Sequence, residues 1–92
     1  MVKIDTSPNY YLSQLDEDHF FTWAQEIPCV KSIEGGYLYI ESKELSEYDL
    51  RDLTAIMYRY NMPMEQLQIF CNPSNESWFK DPEKYWYQAV FG

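Results

Sequence analysis

Cys29-Val30-Lys31-Ser32-Ile33-Glu34-Gly35-Gly36-Tyr37-Leu38-Tyr39-Ile40-Glu41 decides the fold. Two runs of β-branched, aliphatic and aromatic residues flank a glycine pair, and glycine reaches positive φ at no steric cost, so the stretch predicts a β-hairpin. On the second strand Leu38 and Ile40 fall on one face and Tyr37, Tyr39 and Glu41 on the other. That alternation belongs to an antiparallel sheet with one covered and one solvated side. A hairpin alone is only marginally stable in water, so its apolar side needs helices or a third strand. Val2 and Ile4 alternate with Lys3 and Asp5, which makes residues 1–5 the candidate third strand. Thr6-Ser7-Pro8-Asn9 reads as the turn that follows.

Helical spacing appears on both sides of the hairpin. Upstream, Asp16 reads as a cap, Glu17 and Asp18 suit the positive end of the helix dipole, and the helix must stop before Pro28. Phe20, Trp23, Ala24 and Ile27 form its apolar stripe. Downstream, Ser46-Glu47-Tyr48-Asp49 resembles a capping box, and Leu50, Leu53, Met57 and Tyr60 recur at three- and four-residue intervals. Asn61 suits a left-handed C-terminal cap, and Pro63 suits the first position of another helix whose apolar stripe is Met64, Leu67 and Phe70 or Cys71. Asn72-Pro73-Ser74-Asn75 breaks the chain, and Ser77-Trp78-Phe79 reads as a helical turn. Asp81-Pro82 then opens a last helix towards Val90. The expectation is one α+β domain over residues 1–92, with a hairpin, or a three-stranded antiparallel sheet, packed against about four helical segments.

Composition excludes several classes of function. The chain has 92 residues, enough for one core, and 46% of them are apolar, too many for a disordered tail. Fifteen acidic residues against seven basic ones give a net charge of −8, which disfavours direct nucleic-acid binding, since that requires clustered cations. No apolar run is long enough for a membrane span. Met1-Val2-Lys3-Ile4-Asp5 shows no signal-peptide pattern, so the expectation is a cytoplasmic protein. The two cysteines, Cys29 and Cys71, lie beside apolar residues without metal or redox spacing, so they read as reduced core thiols, with one bridge between them the alternative.

The residues offer little catalytic chemistry. His19 is the one histidine, the three glycines form no phosphate loop, and the acids match no metal-binding spacing, so no cofactor and no metal is expected. Charge position is more informative. Residues 16–52 hold ten carboxylates against Lys31, Lys43 and Arg51, a net of −7, while residues 53–92 are nearly neutral. Helix dipoles account for Asp16–Asp18 and Glu47–Asp49. Glu34, Glu41, Glu44 and Asp52 lack that explanation. They read either as a solvated face that opposes aggregation or as a surface complementary to a basic partner. Nine tyrosines are more than a core this size easily holds, because each buried hydroxyl needs a partner, and tyrosine is favoured at protein interfaces. The candidate partner-binding residues are Glu34, Tyr37, Tyr39, Glu41, Glu44, Tyr48 and Asp52.

Small size, strong acidity and the stretches Glu47-Tyr48-Asp49-Leu50-Arg51-Asp52-Leu53, Met57-Tyr58-Arg59-Tyr60-Asn61, Ser77-Trp78-Phe79 and Tyr85-Trp86 resemble the small acidic immunity proteins of bacteria. These neutralise basic nuclease toxins, including those of contact-dependent inhibition systems. The resemblance covers about half of the chain and carries no binding motif. It implies an antitoxin that caps a basic toxin domain of nuclease type. Two alternatives stand beside it. A phage-encoded nucleic-acid mimic, such as an anti-CRISPR protein, requires two rows of carboxylates at phosphate-like spacing. A small enzyme or enzyme subunit requires His19 to meet Cys29 or Cys71 in a cleft.

Overall fold

The computed structural model describes residues 1–6 and 11–92; the expected turn at Thr6–Asn9 lies, from Ser7 onward, outside them. The element order is β1 (Val2–Asp5), α1 (Gln14–Glu26), β2 (Val30–Glu34), β3 (Tyr37–Ile40), α2 (Glu47–Arg59), a 3₁₀ helix (Glu65–Phe70), α3 (Glu76–Phe79) and α4 (Tyr87–Val90). The α+β architecture with a hairpin is as expected. Residues 2–5 supply the third strand, and the antiparallel sheet has the order β1-β3-β2.

Gly35 and Gly36 both take positive φ, +58° and +83°, as a two-residue hairpin turn that follows the strand twist requires. Leu38, Ile40 and Ile4 point inward and are essentially fully buried. One irregularity matters later. Val30 faces Ile40 but Ser32 faces Tyr39, so Lys31 is an extra residue that bulges from the edge strand β2. The other edge is protected differently. The Gln66 side chain accepts a hydrogen bond from the Asp5 N–H at 2.7 Å and donates to the Asp5 carbonyl at 2.8 Å and the Pro63 carbonyl at 2.8 Å. An amide side chain thereby takes the place of a neighbouring strand at that point of the β1 edge.

Helix α1 begins two residues before Asp16. Ser13 is the cap, its hydroxyl accepting the Asp16 N–H at 3.2 Å, so Asp16 lies inside the first turn. Phe20, Ala24 and Ile27 are buried, and Trp23 packs against them half-buried. In α2, Ser46 caps through the Asp49 N–H at 3.1 Å, and Leu50, Leu53, Ile56 and Met57 are completely buried. The helix ends as expected at Asn61, with φ 56°. The N–H groups of Asn61 and Met62 reach back to the carbonyls of Tyr58 and Met57, the paired bonds of a Schellman cap.

The C-terminal third is less helical than its spacing predicts. The segment after Pro63 is a 3₁₀ helix, and the helix expected from Asp81-Pro82 reduces to Tyr87–Val90. Asp81 caps a turn through the Glu83 N–H at 3.0 Å, and buried Trp86 donates from its indole to the Phe79 carbonyl at 2.7 Å. Its ring also lies 6.0 Å from Phe79 and 6.2 Å from Trp78. Packing of the indole fixes this segment more strongly than helix propensity.

Candidate functional site

The seven candidate residues divide between two surfaces. On the solvent face of the sheet, strand register sets Tyr37 across from Asp5 and Glu34, and Tyr39 across from Lys3 and Ser32. Lys3 places its ammonium 4.3 Å from the centre of the Tyr37 ring. At the strand exit Lys31, displaced by the bulge, lies 3.5 Å from the Glu41 carboxylate. Two ammonium groups therefore stand among three carboxylates, Asp5, Glu34 and Glu41, and both tyrosines are half-buried. Glu34, at the hairpin tip, also borders a small depression of about 300 Å³ with Tyr11, Phe20, Phe21 and Ile33.

The second surface is the solvent side of α2 and the loop before it. Tyr48 and Asp52 are one turn apart on this helix, the spacing at which side chains meet. Asp49 lies close enough to Asp52 that its carboxyl is raised above the usual range, first by burial and then by the Asp52 charge. Glu44 lines an open groove of about 850 Å³ with Lys43, Ser46, Ile69 and Cys71. The cation of this helix's first turns, Arg51, is already engaged. Its Nε is 2.8 Å from Glu47, and its guanidinium lies 4.5 Å from the Trp78 ring and 5.7 Å from the Trp86 ring. Among the described residues, Glu44, Asp49 and Asp52 form no ion pair. Tyr48 is 82% exposed, and Tyr58 and Tyr85, 51% and 52% exposed, stack edge to face at 4.8 Å on the adjoining flank.

Cys29 marks the junction of the two surfaces. Burial pushes its thiol up to about 12, and the carboxylates of Asp49, Asp52 and Glu41 reinforce the shift. The strand exit and the first turns of α2 therefore converge around one buried thiol. The charges of Glu41 and Asp52 both bear on that thiol, whereas Glu34, Tyr37 and Tyr39 stay with the sheet. The sequence reading left out Asp49, which it assigned to the helix dipole alone, and did not rank Tyr58 and Tyr85. The i+3 spacing of Asp49 and Asp52 was the available signal.

Both cysteines are free thiols. A thiol held near 12 stays protonated at neutral pH and is a poor nucleophile, and Cys71 is also raised, first by burial and then by Glu76. His19 is exposed on α1, in a depression with Asp16, Arg59 and Tyr60 that includes neither cysteine. Among the described residues no group of three His, Cys, Asp or Glu side chains could hold a metal ion, and no helix is long and apolar enough to cross a membrane. Compared with protein-family models, curated proteins and solved structures, the chain matches none of them.

Proposed function

We propose that the chain is a cytoplasmic immunity protein, an antitoxin that binds and neutralises a basic toxin domain of nuclease type. The observation that carries this reading is the solvent side of α2 and the loop before it, where Asp49 and Asp52 on the helix and Glu44 in the loop, without an ion pair among the described residues, accompany the exposed Tyr48 and Tyr58. A nuclease must present cations to hold phosphates, and carboxylates held by a helix can occupy or screen those cations. Tyrosine contributes large contact area at little entropic cost and brings its own hydroxyl, as the centre of an interface needs. Long-range attraction between the two charged surfaces accelerates encounter, which suits an inhibitor that must intercept its target quickly.

The direct test is co-expression with a basic nuclease domain encoded next to this chain. A stable complex lacking nuclease activity is expected. The E44Q/D49N/D52N variant should associate about tenfold more slowly at low salt, with a flatter dependence on ionic strength. No complex at low salt, or a variant as fast and as salt-sensitive as the parent, would reject the reading.

A further inference from the structure

Resting on that reading, the next question is which basic group the α2 surface takes. We propose that Tyr48, Asp49 and Asp52 form an arginine subsite, with a guanidinium of the partner stacked on the Tyr48 ring and paired to the two carboxylates. Three observations support it. Tyr48 is 82% exposed and, among the described residues, makes no ring contact, so its face is open to a ligand. Asp52 follows one helical turn later, so a carboxylate and an aromatic face flank the same spot. The protein itself shows the mode of binding on the neighbouring flank, where the Arg51 guanidinium sits 4.5 Å from the Trp78 ring with Glu47 at 2.8 Å.

The chemistry selects arginine over lysine. A guanidinium is flat, stacks on a ring and presents a fork of donors to carboxylates, whereas an ammonium is a compact, strongly hydrated point charge. Two carboxylates three residues apart on one helix present their charges to a common spot, so the pair is matched to a positive ligand. A second copy of the chain is disfavoured as the occupant, because both would carry −8. On the sheet the equivalent place is taken, since Lys3 already covers Tyr37.

The test is an NMR titration of the intact chain at low salt with nona-arginine and, separately, nona-lysine. Nona-arginine should shift the amides of Tyr48, Asp49 and Asp52 and bind about fivefold more tightly than nona-lysine, the size of one exposed cation–π contact. Y48A should abolish that preference, with lysine-peptide affinity unchanged within twofold, and Y48F should restore it. Equal affinities, or shifts centred on Tyr37 and Tyr39, would overturn the arginine subsite and leave the acidic binding surface standing. If neither peptide binds, the proposed function falls with it.

Discussion

The solvent face of the sheet and the solvent face of α2 are built from the same residue types, tyrosine and carboxylate. They differ in where their cations lie. On the sheet, Lys3 covers Tyr37 and Lys31 neutralises Glu41. On α2, Arg51 is turned towards Glu47, Trp78 and Trp86, and Asp49 and Asp52 form no ion pair among the described residues. An acidic, tyrosine-rich composition therefore does not define a binding surface. What defines it is whether the fold has already satisfied those groups internally.

Among changes that bear on this contrast, the largest effect is expected at Gln66, which holds β1, and with it Lys3, in place. Gln66→Ala removes three hydrogen bonds of 2.7–2.8 Å and leaves part-buried backbone groups at Asp5 and Pro63 without that partner. A loss of about 2–3 kcal/mol in urea unfolding is expected, together with faster amide exchange along β1. Unchanged exchange there would mean that β3 alone holds the strand, and that the covering of Tyr37 does not depend on Gln66.

Next in size is Arg51→Ala, which removes the guanidinium from two indole rings and a carboxylate. The expected cost is about 1–2 kcal/mol, and Arg51→Lys should recover less than half, because an ammonium does not stack. A cost near zero would show that the rings do not hold Arg51, and the contrast between the two surfaces would weaken.

Smaller still is K3A/K31A. Both ion contacts are at the surface, so stability should fall by no more than about 1 kcal/mol. The sheet would then carry the same unsatisfied groups as α2, and nona-arginine should begin to shift the amides of Tyr37 and Tyr39. If it does not, compensation by lysine is not what separates the two faces.

The smallest effect concerns pH. A carboxyl raised in the folded state binds protons more readily there than in the unfolded chain. Its contribution is therefore most favourable at low pH and falls as pH rises from the unfolded value through the folded one. Asp49→Asn should remove that fall, so the variant gains melting temperature relative to the parent as pH rises through and above the ordinary carboxylate value. An identical pH profile would mean that neither burial nor the Asp52 charge raises the Asp49 carboxyl.

Much of the fold was legible locally, because its signals are local. Gly35-Gly36 required a tight turn, the Leu38/Ile40 alternation assigned the buried face, and Ser46 and Asn61 bounded α2 within a residue or two. The errors lie where spacing leaves a choice open or where packing decides. Ser13 displaced Asp16 as a cap, a choice between two good cappers that spacing does not resolve. The last helix shrank because Trp86 is fixed by the Phe79 carbonyl. At the candidate site the residue types were legible, yet the pairing of Lys3 with Tyr37 depends on strand register between residues 34 positions apart. The bulge that turns Lys31 towards Glu41 is likewise a property of the folded ladder.

The Gln66 contact also bears on the order in which the molecule can be completed during synthesis. Strand β1 leaves the ribosome before its hydrogen-bonding partners, which are β3, some 35 residues later, and Gln66, 61 residues later. A strand made ahead of its partners is thus among the last parts of this fold to be secured. Until Gln66 has emerged, the backbone of Asp5 is presented to whatever surrounds the nascent chain, and closing so long a loop is among the slower steps of folding. Any translational pause before Gln66 has emerged would prolong that interval.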